Sequence, residues 1–315
     1  MVVTIGEVMA VANGRPHAPL GVHSDLRLTF AGAEANVAVG LSRLGHPVRL
    51  LTVLGDDGFG HTIRRALRGE GVDVSAVQFD ASRPTGAMFK DRHFPTEPEV
   101  HYYRAGSAMA GATAATFDAR LWRDARALFL TGITPALSAG CYALVREVVA
   151  DAERRQIPVW LDPNYRRKLW DERAFAAAMA ELVPHADVVL PGVTEGRIMT
   201  GEATVDGIVR ALRAAGARTV IVKDGRRAAT DGPAGGSVVE TPALDAAAVV
   251  DPIGAGDAFA AGCLSAYLDG LPPAAWLTRG HVIAARVCLT EGDWEGLPTR
   301  AELARFEGRT GEAGR

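Results

Sequence analysis

Near the C-terminal end, Val249-Val250-Asp251-Pro252-Ile253-Gly254-Ala255-Gly256-Asp257-Ala258-Phe259-Ala260-Ala261-Gly262 sets an acid directly behind a glycine-rich turn. Small and aromatic residues at helical spacing follow, so the stretch reads as a turn feeding a helix with Asp257 among its first residues. The first N–H groups of a helix lack intrahelical acceptors, and the macrodipole favours negative charge beside them. Glycines let a bulky anion come close to those groups. An acid inside such an anion hole raises the local negative charge, a conflict that is resolved if Asp257 is a base. It would take the proton of a hydroxyl that attacks the phosphorus of the neighbouring anion. Taken alone, Gly-Ala-Gly-Asp is equally well an ordinary loop–helix junction with an N-terminal acid. The rest of the chain has to decide.

At 315 residues, with 48% hydrophobic and 23% charged residues, the composition is that of a globular α/β protein. A net charge of −3 gives no reason to expect nucleic acid or an anionic membrane as partner. No apolar run approaches the roughly 20 residues that span a bilayer. MVVTIGEVMA begins directly as a buried strand without a basic leader, so a cytoplasmic location is expected. Cys141, Cys263 and Cys288 are odd in number and unclustered, which fits buried thiols in a reducing compartment.

The elements that must position Asp257 alternate along the chain. Buried strands are expected at Met1 to Val8, Val48 to Leu54, Phe129 to Thr131, Val159 to Asp162, Val188 to Leu190 and Thr219 to Lys223. Helices are expected within Ala31 to Gly45, ending at a C-cap at Gly45, then closing at Gly69 or Gly71, and over about 138–155, 171–183, 194–200 and 205–215. Two more follow Gly256 and Pro273, and a hairpin is expected over 226–245 around Gly235-Gly236. Residues 10–31 and 84–104, the latter with a loop at Pro95 and Pro98, carry mixed polar and aromatic faces and are assigned to a small exposed lid sheet. The fold class is therefore α/β, a single domain over 1–315. A central, mostly parallel sheet is flanked by helices in three layers, with a small β-sheet lid inserted.

Ligands of open α/β sheets gather at the C-terminal strand ends. There lie Gly6-Glu7, Gly132, Asp162 through Arg167, Lys223-Asp224-Gly225 and Asp257. Walker, GxGxxG, HExxH and GxSxG patterns are missing from the sequence, which removes the common nucleotide loops, zincins and serine hydrolases. The eight histidines show no ligand spacing.

Ala31-Gly32-Ala33-Glu34-Ala35-Asn36-Val37-Ala38-Val39-Gly40 together with Asp251-Pro252-Ile253-Gly254-Ala255-Gly256-Asp257 resembles the two signature regions of the ribokinase-like (PfkB) carbohydrate kinases. The resemblance covers essentially residues 1 to 300. Tyr102-Tyr103-Arg104-Ala105-Gly106-Ser107-Ala108, Thr131 through Ser138 and Asp162 through Trp170 look like the 2-keto-3-deoxygluconate kinases of that family. The resemblance implies that Asp257 is the base for a terminal sugar hydroxyl attacking the γ-phosphate of ATP. Gly254, Ala255 and Gly256 would hold the developing phosphoryl charge. Gly32 and Asn36 would hold sugar hydroxyls, Gly32 because a side chain there would block close approach. Tyr102 and Arg104 from the lid, with Arg166, would hold the acid and keto end. Lys223 and Gly225 would lie along the nucleotide, with His281 in its pocket. Glu195 would organise Mg²⁺ through water, and Asp251 would cap the turn or help hold a monovalent cation such as K⁺.

A carboxylate substrate suits arginine, whose planar fork matches it in bidentate geometry. Two arginines at separate strand ends exceed what a neutral sugar needs; solvated surface arginines are the plain alternative. Arg167 and Lys168 are assigned to surface charge, and Glu34 to charging a helix N-terminus. The chain departs from the family pattern in four places. Ala31 replaces a glycine, Met88 a lid tyrosine, Gly192 the asparagine of Asn-x-x-Glu, and His281 an asparagine. The expected activity is phosphorylation of 2-keto-3-deoxygluconate, with 2-keto-3-deoxygalactonate kinase and fructokinase as alternatives. A sugar-acid- or nucleotide-binding protein on a kinase scaffold is a further reading; a nicotinamide-dependent oxidoreductase lacks its fingerprint. Exposed lid edges make a homo-oligomer, with a dimer through the lid, the expected assembly.

Overall fold

The computed structural model describes residues 1–21, 23–94, 99–225, 227–231 and 249–312. Its strands are β1 (Val2–Ile5), β2 (Met9–Asn13), β3 (Arg27–Ala31), β4 (Val48–Leu51), β5 (Val53–Gly55), β6 (Gln78–Asp80) and β7 (Ala87–Asp91). There follow β8 (Glu99–Tyr103), β9 (Ala127–Thr131), β10 (Val159–Asp162), β11 (Val188–Val189), β12 (Thr219–Asp224) and β13 (Arg227–Asp231). The helices begin with α1 (Ala33–Arg43), α2 (Gly58–Gly69), α3 (Ile133–Ala136), α4 (Ala139–Arg154) and α5 (Glu172–Leu182). They continue with α6 (Val193–Thr200), α7 (Val205–Ala214), α8 (Ala255–Leu268), α9 (Pro273–Val287) and α10 (Arg300–Glu312).

The central sheet runs β13-β12-β11-β10-β9-β1-β4, with every pairing parallel except β12 with β13. Parallel strands covered on both faces read as continuous apolar runs, and β1 (VVTI) and β9 (ALFLT) are buried at every position. One core cluster lies on each face: α1, α8 and α9 contribute to the first, α4, α5 and α7 to the second. The expected three-layer α/β fold is what forms.

The lid is a four-stranded sheet, β3-β2-β7-β8, built from the two early excursions as expected. Strand β7 alternates, with Met88 and Lys90 on its buried face. Two local expectations need correction. Val48 to Leu54 is not one strand: the chain leaves the main sheet after Leu51, and β5 pairs with β6 in a separate two-stranded sheet. An uninterrupted apolar run cannot reveal that change of partner. A third C-terminal helix, α10, follows the two expected ones. The loop at Pro95 and Pro98 and the tip at Gly235-Gly236 lie outside the described residues, although β13 begins the second excursion.

The placement of α8 follows from its small residues. A Cβ on Gly262 would sit 2.7 Å from the Gly280 Cα of α9, and one on Gly40 of α1 would sit 2.9 Å from the Ala261 Cβ. Helix α8 is therefore wedged between α1 and α9 at backbone contact, which fixes where Asp257, one turn before Ala261, must point.

Candidate active site

Helices α2, α4, α5 and α7 are capped by the side chains of Asp57, Ser138, Asp171 and Thr204. Helices α1 and α8 begin instead at Gly32 and Gly254, with no side-chain cap. No cap side chain therefore accepts their first-turn N–H groups. Gly254 is left-handed at φ 85°, and a Cβ there would stand 2.1 Å from the Asp293 carbonyl oxygen. Only glycine fits. Gly256 differs: an added Cβ would meet nothing within 4 Å among the described residues.

Asp257 is buried in the first turn of α8. The Asn36 Nδ2 of α1 donates to its Oδ2 at 2.7 Å, and the Asn164 Nδ2 reaches its Oδ1 at 3.4 Å. Burial raises the Asp257 carboxyl above the ordinary aspartate range, opposed by Asn36, Arg166, Lys223 and Asn164. The Asn36 Oδ1 is buried with no hydrogen-bond partner among the described residues. An unsatisfied acceptor beside that carboxylate can take a hydroxyl donor. Asn164, quoted within its motif but given no role by the sequence, holds φ 40° at the end of β10. Positive φ at a non-glycine strand end is the signal that could have found it, and only coordinates reveal φ.

The other expected residues divide. Gly32 is required for a reason different from the one expected: a Cβ there would strike the Glu7 carbonyl oxygen at 2.2 Å. Arg104 does not reach freely into the site, because its Nη2 pairs with the buried Glu7 Oε2, while the Ser107 hydroxyl donates to Glu7 Oε1. Arg166 is exposed, yet its charge is felt at Asp257. A cavity of about 880 Å³ lies between β8 and the segment after β10, lined by Tyr102, Arg104, Tyr165, Arg166 and Arg167 among others. Arg167 thus faces the cavity. Lys168, assigned to surface charge, donates to the Val100 carbonyl at 2.7 Å and sits 5.5 Å over the Tyr102 ring, tying lid to core.

Lys223 donates to Asp162 Oδ2 at 2.6 Å, joining the ends of β12 and β10. Burial raises Asp162 to about 6 against the attraction of Lys223. Gly225 is left-handed at φ 54°, and an added Cβ would meet nothing within 4 Å among the described residues. His281 packs edge-on against Phe259 at 5.1 Å; its Nε2 has no partner among the described residues, and burial lowers its basicity. Both Glu195 oxygens accept backbone amides, from Tyr165 at 2.8 Å and Gly192 at 2.5 Å. Glu34 does more than charge a helix end. It is buried and accepts the Thr131 and Thr134 hydroxyls at 2.7 and 2.8 Å, and burial raises it to about 7.

Asp251 caps the turn, accepting the amides of Ile253 at 3.0 Å and Gly292 at 3.4 Å, with Arg92 Nη2 at 3.7 Å from Oδ2. The buried Lys90 ammonium pairs with Asp293. Among the described residues no group of three or more His, Cys, Asp or Glu is placed to hold a metal ion, and no helix is long and apolar enough to cross a membrane.

A family model described as pfkB family carbohydrate kinase matches residues 1–300. The 2-dehydro-3-deoxygluconokinase of Bacillus subtilis is 38% identical over 308 residues, covering 96% of this chain and 94% of the relative. The 2-dehydro-3-deoxygluconokinase of Thermoproteus tenax is 35% identical over 304 residues, covering 95% and 92%. The crystal structure of a PfkB protein from Polaromonas sp. JS666 superposes with a TM-score of 0.87 at 38% identity, covering 96% of this chain and 98% of that one.

Proposed function

The chain belongs to the pfkB family of carbohydrate kinases, and from that premise we propose that it transfers the γ-phosphoryl group of ATP to the terminal hydroxyl of 2-keto-3-deoxygluconate. The observation that carries the chemistry is Asp257, buried in the first turn of a glycine-capped helix with Asn36 on its carboxylate.

The sugar's primary hydroxyl lies against Asp257, which accepts its proton as oxygen attacks phosphorus. Burial makes this carboxylate a stronger base than an exposed one, while Asn36 and Asn164 hold it ionised and oriented. The amides at the start of α8, from the Gly254-Ala255-Gly256 turn, stabilise the charge spreading over the transferred oxygens. The Asn36 carbonyl, left open beneath the site, accepts a sugar hydroxyl. Arg166 and the cavity under β8 receive the carboxylate end, and Tyr102 contributes from the lid. Arg104 contributes through Glu7, which it holds in place. Gly225 and His281 line the nucleotide side.

One backbone amide on each Glu195 oxygen fixes the carboxylate, and its remaining lone pairs would accept from waters of Mg²⁺. Mg²⁺ usually keeps several waters and is held by substrate phosphates, which suits that donor set; bound with ATP, it neutralises phosphate charge. The relatives named 2-dehydro-3-deoxygluconokinase support the sugar-acid substrate. The lid's exposed Leu28 and Tyr103 support a dimer through that sheet.

The test is ADP release with Mg²⁺-ATP across 2-keto-3-deoxygluconate, its galactonate epimer, fructose and ribose. Turnover confined to the keto-deoxy acids is expected. Equal turnover of fructose would overturn the acid assignment.

A further inference from the structure

Beside the anion hole, two buried cationic side chains stand where a monovalent ion was expected. Lys90 lies on the buried face of lid strand β7, and Arg92 follows that strand's end; both are about 2% exposed. Lys90 pairs with Asp293, and Arg92 spans Asp251 at 3.7 Å and Glu291 at 3.2 Å. Asp251 and Asp293 flank the anion-hole turn directly. Asp251 accepts the Ile253 amide within the turn, and the Asp293 backbone touches Gly254 so closely that no Cβ fits.

A bound K⁺ in this position would have to be surrounded by oxygens with charge to spare. Here Lys90 pairs with Asp293, and Arg92, shared with Glu291, stands at ion-pair distance from Asp251, so a mobile ion would meet two like charges in a desolvated space. The residues present do not fit such an ion. We propose that Lys90 and Arg92 supply, as part of the lid, the positive charge behind the anion hole, so that phosphoryl transfer needs no monovalent cation. Because both belong to β7 and its end, they also fix the base of the lid to the Gly254 turn. They act as positioning residues through Asp251 and Asp293. The inference rests on the kinase reading given above.

The experiment compares turnover of 2-keto-3-deoxygluconate in potassium chloride and in tetramethylammonium chloride at matched ionic strength. Equal kcat in the two salts is expected. Saturable activation by K⁺ of roughly 5- to 150-fold, the usual range of a coupled effector, would overturn the inference. Thermal melting in the same two salts decides it even if this substrate is not turned over: equal Tm supports the fixed-cation arrangement, and a saturable rise specific to K⁺ refutes it. Lys90→Met leaves the Asp293 carboxylate with charge to spare; it is expected to lose kcat and to regain part of it in K⁺ or Rb⁺ but not in tetramethylammonium. Lys90→Met/Asp293→Asn strands no buried charge and is expected to stay folded and to show no such rescue; a folded Lys90→Met that loses kcat without cation rescue, or a double variant rescued as well as it, counts against the proposal.

Discussion

Asn36 of α1 and Asp257 of α8 are hydrogen-bonded at 2.7 Å across 221 residues of sequence. One turn further along the same two helices, Gly40 meets Ala261. The helices therefore run side by side in the same direction, and the small-residue contact one turn in sets the polar contact at their starts. Any change that separates the helices at Gly40 also separates base and partner.

Asp257→Asn keeps the shape of this contact and removes the base. Activity is expected to fall by about 10²–10⁴-fold, the usual share of a positioned general base, with an unchanged circular dichroism spectrum. Residual turnover near wild type would refute the role of Asp257.

The acidic limb of kcat/KM is expected to report the Asp257 carboxyl, which burial raises above an ordinary aspartate. Asn36 donates to the ionised form and so lowers that pKa. In Asn36→Ala the acidic limb should move to higher pH, beyond any loss of kcat. A limb that stays in place would mean that another group titrates.

Arg166 and Arg104 should behave differently although both line the cavity. Arg166→Ala should raise KM for the sugar acid by roughly 10- to 150-fold, the worth of a charge-assisted contact, and leave Tm near wild type. Arg104→Ala strands the buried Glu7 carboxylate and should cost about 3–5 kcal/mol of stability, seen as a lowered denaturation midpoint. An Arg104→Ala protein of native stability with only a raised KM would mean that Arg104 serves the substrate directly.

Glu34 gives stability a pH dependence of its own. Its folded pKa, about 7, lies above the ordinary glutamate value of 4.5 because burial disfavours the charge. The folded state therefore holds a proton that the unfolded chain releases. The stability from this group is full below pH 4.5 and is lost as pH rises through about 7. The loss is on the order of 3 kcal/mol. Glu34→Gln keeps an acceptor for Thr131 and Thr134 and should flatten the dependence of Tm on pH over that window. An identical slope in the variant would exclude Glu34 as its source.

Much of this molecule is legible in its sequence because the signals are local. Continuous apolar runs mark β1 and β9, alternating faces mark the lid strands, and Gly254-Ala255-Gly256-Asp257 marks a glycine turn entering a helix. Those patterns carry the α/β fold, since each depends only on neighbours a few residues away; the phosphoryl-transfer reading comes from the glycine turn taken together with the Ala31–Gly40 region. What the tertiary structure alone decided is which charge meets which. Arg104 turned to Glu7, Lys223 to Asp162, and Lys90 and Arg92 to the acids beside the anion hole. Each partner comes from a distant part of the chain, and a buried charge pairs with whatever opposite charge folding brings within reach. Distance along the sequence carries no record of that encounter.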